Sequence, residues 1–184
     1  MKNIRFHSTG NIGTDRHDCV AGGVTKPAFS HFRRAGKRTI LVPVDFTEAS
    51  DAAIDHALKL AEDLGASVVL VHVLEQTYAE GFLDTPAKTA LREEALASAK
   101  KRLDATIRKR GRCLAPIERV VIAGKPEYEI LNLAEDLNVD LIVLGRRRMN
   151  LLGRWLFGSV SKDILDVANC PVVLVKSPAH SETS

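Results

Sequence analysis

Cysteine is scarce in this 184-residue chain: Cys19, Cys113 and Cys170 stand far apart, and none is half of a C-x-x-C pair. A sparse, odd count excludes a disulfide framework and fits a reducing compartment. Cys170 precedes an apolar run and reads as a small core residue, Cys113 as a loop or surface residue. Neither has an assignable basic or histidine partner to activate it. Long apolar runs are also missing. Nothing approaches the ~18 residues of a membrane span, and the start of the chain lacks the apolar region of a secretory signal, so a cytoplasmic location without membrane partners is expected. The six histidines (7, 17, 31, 56, 72 and 180) are scattered, with His56 on the polar side of a helical pattern and His72 inside a strand pattern. Zinc needs convergent ligands, which this spacing does not supply, so no metal site is expected.

Several enzyme signatures are absent too. G-x-G-x-x-G does not follow the first strand pattern, where the chain reads Val44-Asp45-Phe46-Thr47-Glu48-Ala49, so dinucleotide binding at that turn is excluded. There is no G-x-S-x-G elbow. Ala35-Gly36-Lys37 suggests a P-loop but fails, because Arg38 replaces Ser/Thr and His31 stands where the first glycine belongs. A phospho-acceptor receiver would need a second acidic residue beside Asp45 and an aspartate after the middle strand; neither is found.

What is present is ordinary in amount and uneven in placement. Hydrophobic residues make up 45% and charged residues 27% of the chain, as in a soluble globular protein, and a core of about 150 residues buries roughly 70% of its unfolded surface without a staple. The net charge is +3. Residues 1–38 hold eight Lys/Arg against two Asp/Glu, while the rest holds 18 against 21. The body is therefore mildly acidic, which argues against nucleic acid as a partner. Residues 1–37 are polar, contain glycine and lack periodicity, so they read as a disordered basic leader.

Order begins at Arg38. Thr39–Asp45 and Ser67–Leu74 are short apolar runs of the kind buried on both faces of a parallel sheet. Between them Thr47, Glu48 and Ser50 supply helix-start chemistry, Ile54, Ala57, Leu58, Ala61 and Leu64 recur at helical spacing, and Gly65 stops the helix. Residues 75–86 form a connection long enough to be a lid. A helix follows over Ala87–Arg110 with Leu91, Ala95, Leu96, Ala99, Leu103 and Ile107 on one stripe. Ile117–Ile122 is a third strand, Gly124-Lys125-Pro126 opens a third helix, and Asp140–Leu144 is a fourth strand. A helix over Ser159–Ala168 and a strand over Pro171–Lys176 complete the pattern. Five strands alternating with four helices predict one doubly wound α/β domain over residues 38–176 with a parallel open sheet, followed by a flexible tail at 177–184.

In such a sheet ligands sit beyond the carboxyl ends of the strands, where helix N-termini point. The stretch Gly145–Ser161 has that form: a strand end, three arginines (146–148), then Gly158-Ser159 at a helix start. Its Met149, Leu151, Leu152, Trp155, Leu156 and Phe157 read either as an anchor onto the sheet or as a patch for a partner. Asp45, at the end of the first strand, suits either a ligand hydroxyl or amine or the capping of the next helix. Pro43, without an amide hydrogen, ends ladder pairing on one side.

The strings ILVPVDFTEAS (40–50), VVLVHV (68–73), AGKPEYEIL (123–131), DLIVLG (140–145), GSVS (158–161) and CPVVLV (170–175) together resemble the universal stress protein family, in order and spacing across the whole domain. The resemblance implies a five-stranded parallel sheet of order 3-2-1-4-5, a homodimer, and ATP binding in some members. The family's binding pattern is Gly, two residues, Gly, nine residues, Gly, then Ser or Thr. By position Gly145 matches the first glycine, Gly158 the third and Ser159 the hydroxyl, while the second glycine falls on Arg148. The resemblance puts Asp45 near ribose or adenine, with Val44 and Val73 lining the base, and Pro43 is expected among the nucleotide-binding residues beside them. It puts Ser159, Val160 and Ser161 at the phosphates; Arg147 and Arg148 read by their charge either as phosphate contacts or as part of a solvated basic face. A left-handed backbone at Arg148 costs about 1–2 kcal/mol, or about five- to thirtyfold in affinity. Guanidinium–phosphate hydrogen bonds contribute about 1.5–3 kcal/mol in the other direction.

Two functions follow as expectations. The first is a stress-response protein that binds ATP (with Mg) or a related adenine nucleotide and regulates an unidentified protein partner, as a homodimer joined through the last strand, without being an enzyme; slow ATP hydrolysis stays open as a weaker, third reading. The second is a nucleotide-independent dimeric interaction or chaperone-like module.

Overall fold

The structure, a computed structural model, describes residues 19–21, 36–75, 86–111, 113–146 and 159–177. Its elements in chain order are β1 (Cys19–Ala21), β2 (Thr39–Pro43), α1 (Glu48–Leu64), β3 (Ser67–Glu75), α2 (Pro86–Arg108), β4 (Ile117–Gly124), α3 (Pro126–Leu137), β5 (Leu141–Arg146), α4 (Ser159–Val167) and β6 (Val172–Lys176). All strand pairs are parallel, and the sheet order is β1-β4-β3-β2-β5-β6. The five strands expected from the sequence thus stand in the order 3-2-1-4-5.

Alternate side chains of each strand enter opposite cores, which is why the strands read as continuous apolar runs. Ile40, Val42, Val68, Leu70, Val121 and Val143 join Ile54, Ala57 and Leu58 of α1 and Leu96 and Leu103 of α2. Leu41, Val69, Val71, Val120, Ile122, Ile142 and Leu144 join Ile130, Leu133 and Leu137 of α3 and Ile164 of α4. Helices therefore cover both faces.

Three details differ from the sequence reading. Cys19–Ala21, inside the stretch expected to be a disordered leader, adds a sixth strand in register Cys19↔Val120 to Ala21↔Ile122. The outer edge of β4 presents unpaired backbone groups that an extended segment can satisfy, and three residues are too few to show periodicity. The stripe of α2 is shorter than its spacing implies: Leu96, Ala99 and Leu103 are buried, but Leu91 is 66% exposed, because only the later turns lie over the sheet. Leu64 is likewise exposed in the last turn of α1. Among the described residues Cys113 and Cys170 are free and half-buried, and burial pushes the Cys170 thiol up from its ordinary value, with Asp140 adding to the shift. No helix among the described residues is long and apolar enough to cross a membrane.

The topology opens the sheet at one place. The chain runs outward from β2 to β3 and β4, then returns to the other side of β2 for β5. β2 and β3 pair along five positions, Thr39↔Ser67 to Pro43↔Val71. β2 and β5 pair only at Ile40↔Leu141 and Leu41↔Ile142. Beyond Leu41 the two strands part, consistent with the missing amide hydrogen of Pro43. A cleft opens at the point where strand order reverses.

Candidate functional site

A cavity of about 850 Å³ occupies that opening, within the range of small-molecule sites. It is lined by Pro43, Val44, Asp45, Thr47, Ser50, Val71, His72, Val73, Glu75, Pro126, Ile130, Leu144, Gly145, Arg146, Ser159, Val160, Ser161 and Leu174. Eight of the residues singled out from the sequence are brought together here: Pro43, Val44, Asp45, Val73, Gly145, Ser159, Val160 and Ser161. Arg147, Arg148 and Gly158 lie outside the described residues, as do the expected lid at 76–85 and the apolar stretch Met149–Phe157.

Each wall has a local cause. Val71 and Val73 come from the β3 face that meets α3, and His72 from the opposite face, so the strand end contributes from both sides. Ser159, Val160 and Ser161 form the first turn of α4, where the leading amides have no intrahelical acceptor and the helix dipole favours an anion. Arg146, the last residue of β5, adds a cation to the wall.

Gly145 has a separate reason to be glycine. A β-carbon there would lie 2.2 Å from the Ala49 carbonyl oxygen and 2.7 Å from the Ser50 amide nitrogen. The N-terminal turn of α1 rests on the β5 backbone, and only a residue without a side chain fits between them.

Asp45 turns out to serve the helix start indirectly. The N-cap of α1 is Thr47, in a reciprocal capping box with Ser50. Asp45 Oδ1 accepts from the Thr47 amide (3.1 Å) and from Thr47 Oγ1 (2.5 Å). Ser50 Oγ accepts from the same amide (3.1 Å) and donates to the Thr47 carbonyl (2.9 Å). The carboxylate is exposed, so it braces the cap while remaining on the cavity wall.

Phe46, between Asp45 and Thr47, has φ 60°, a left-handed backbone that costs a non-glycine residue about 1–2 kcal/mol. Next to it, the Val44 amide donates to the Val71 carbonyl (2.8 Å). The Val44 carbonyl lies 2.7 Å from His72 Nδ1. A carbonyl only accepts, so Nδ1 carries the hydrogen. An imidazole thus takes the place of the next backbone rung. Burial pushes the His72 pKa below its ordinary value; the Val44 hydrogen bond opposes that, the Arg102 charge adds to it, and Asp45 opposes it again.

Sequence reasoning missed Thr47, Ser50, Val71, His72, Glu75, Pro126, Ile130, Leu144 and Leu174 as wall residues, and noted Arg146 only for its charge. The usable signal was position: His72 and Val73 lie just beyond the last residue of β3 paired with β2, where a parallel strand starts to face the crevice. Among the described residues no group of three or more His, Cys, Asp or Glu is arranged to hold a metal ion.

Comparison with known proteins agrees with this architecture. The family model described as the universal stress protein family matches residues 37–176. The chain is 30% identical over 147 residues to universal stress protein MJ0531 of Methanocaldococcus jannaschii, covering 77% of this chain and 83% of that one. It is 32% identical over 142 residues to universal stress protein G of Escherichia coli O157:H7, covering 76% and 99%. Among solved structures, MJ0577 of M. jannaschii superimposes with a TM-score of 0.64 at 26% identity, over 77% of this chain and 97% of that one. The universal stress protein of Archaeoglobus fulgidus in complex with dAMP superimposes with a TM-score of 0.52 at 25% identity, over 76% and 98%.

Proposed function

Because the chain belongs to the universal stress protein family, we propose that the cavity at the ends of β2, β3 and β5 binds an adenine nucleotide, and that the bound state is what a partner reads during stress. The observation carrying this reading is the convergence of Asp45, Val44, Val73, Gly145 and the Ser159–Ser161 turn on one cavity of about 850 Å³ at the sheet's switch point. The walls suit the parts of such a ligand. Val44, Val73 and Ile130 offer an apolar slot for a base, Asp45 an acceptor for ribose hydroxyls, and the α4 amides with Arg146 a place for phosphate. Gly158 closes the phosphate turn in this reading, and Arg147 and Arg148 flank it. The dAMP complex of the A. fulgidus protein supports a monophosphate as the first ligand to try. ATP, with Mg as the counterion of its triphosphate, is the second. The role is binding rather than turnover, and the location is the cytoplasm.

β6 is an edge strand of the sheet with half-buried side chains at Val172–Val175. It is the seam through which two copies pair in this reading; light scattering on the eluted protein decides this, a monomer removing it.

Isothermal titration of the full chain with dAMP, ATP and ATP plus Mg tests the nucleotide. Affinity in the micromolar range supports it, and no binding tighter than millimolar removes it. The nucleotide-independent interaction module has one observation in its favour: packing against Ala49 accounts for Gly145 without any ligand. Adenine nucleotide released by acid from freshly purified protein would count against that alternative.

A further inference from the structure

The left-handed backbone of Phe46 sorts the side chains at the cavity rim. Asp45 and Thr47, on either side, line the cavity. The Phe46 ring instead packs against the α1–α2 core. Two groups meet it there. The guanidinium carbon of Arg102, on α2, stands 3.9 Å from the ring centroid, a cation–π geometry. The His72 imidazole lies 4.5 Å away between centroids, tilted by 49°. His72 in turn lines the cavity and holds the Val44 carbonyl at 2.7 Å. A run of contacts therefore leads from an outer helix to the Val44–Asp45 corner.

We propose that Arg102 is a positioning residue for the cavity, acting through the Phe46 ring and His72 to hold the Val44–Asp45 corner in its ligand-ready shape. The proposal rests on the reading of this cavity as an adenine-nucleotide site. A strained backbone persists only where its surroundings over-determine it, and the contacts of the Phe46 ring supply that constraint. Without the Arg102 cation the ring loses its electrostatic anchor, Phe46 is free to leave the left-handed region, and Asp45 and Thr47 shift with it. Burial is the main cause that lowers the His72 pKa and the Val44 hydrogen bond opposes it; the Arg102 cation adds to the lowering, because protonation would set a second positive charge beside it. Asp45 works against that lowering.

The test compares the full chain with Arg102→Met, which keeps the alkyl stem, and Arg102→Lys, which keeps the charge. In ligand-free protein, NMR follows the His72 ring titration and hydrogen exchange of the Thr47 amide; calorimetry follows dAMP. Arg102→Met should move the His72 midpoint upward, speed Thr47 exchange and weaken dAMP by about two- to fivefold, while Arg102→Lys restores all three. Loss of the Arg102 charge moves the His72 titration by itself, so the Thr47 exchange and the dAMP affinity are the readouts that a merely neighbouring charge would leave unmoved. Wild-type titration and dAMP affinity in Arg102→Met overturn the proposal, as does a moved titration with unchanged affinity. If the wild-type chain binds no dAMP, the nucleotide reading falls, and the ligand-free measurements decide the positioning role: both shifted sustains it, either unchanged overturns it.

Discussion

Gly145 of β5 and Ala49 of α1 touch backbone to backbone: a β-carbon on Gly145 would sit 2.2 Å from the Ala49 oxygen and 2.3 Å from its carbonyl carbon. None of those atoms can rotate away. Gly145→Ala must push the start of α1 off the sheet, displacing the capping box and Asp45 together. Overpacking of this kind costs about 1–3 kcal/mol. Chemical unfolding should show that loss with no ligand present. A loss under about 0.5 kcal/mol would mean that α1 yields easily and that the glycine is there for another reason.

Asp45 and Thr47 share hydrogen bonds yet should separate by readout. Thr47→Ala removes the N-cap oxygen and should cost about 1 kcal/mol of stability. Asp45→Ala leaves the Thr47–Ser50 capping box in place, so its stability cost should be smaller. A ligand hydroxyl held by the carboxylate is a charged hydrogen bond, so the same substitution should weaken dAMP by roughly ten- to a hundredfold. Equal dAMP affinity in Asp45→Ala and wild type would assign the carboxylate to the helix start alone.

The half-buried imidazole makes a pH prediction with a definite sign. The His72 pKa in the folded chain lies below the ordinary value of 6.5. Between the two values the unfolded chain binds more protons, so stability rises with pH across that window. The contribution is fully present above about pH 6.5 and is lost as pH falls toward the folded value. Urea midpoints taken from about pH 5 to about pH 7 should climb in wild type. His72→Gln should flatten the climb, and an identical slope in the variant would show that His72 is not its source.

How far the sequence reached follows from the length over which each physical signal acts. The runs Ile40–Val42 and Val68–Val71 were legible because burial on both faces removes every polar residue from them. The start of α1 was legible because Thr47, Glu48 and Ser50 act on neighbours three or four residues away. Gly145 was found by its place in a pattern, but its cause, the Ala49 backbone, lies almost a hundred residues earlier. His72 read only as a strand residue because its partners, Val44 and Phe46, lie in the turn that follows another strand. The exposure of Leu91 could not be read from spacing, since helical period marks a face but not how far the sheet extends beneath it.

β1 offers the last test, because it pairs Cys19–Ala21 with the outer edge of β4 and lies before residue 37, where the family match begins. The remaining five strands already form the family sheet, so deleting residues 1–35 should leave the fold intact. It should also bare the β4 edge, whose backbone groups opposite β1 then face water. Hydrogen exchange read by mass spectrometry should speed up in Ile117–Gly124 and stay unchanged in β2 and β5, which are paired on both sides. A three-residue strand is marginal on its own, so the melting temperature should fall by no more than a few degrees. A bare edge is also a template for another chain, and the truncated protein should associate more strongly with rising concentration than the full chain does. If exchange in β4 is the same with and without residues 1–35, the pairing contributes nothing in solution and the edge is guarded by something other than β1.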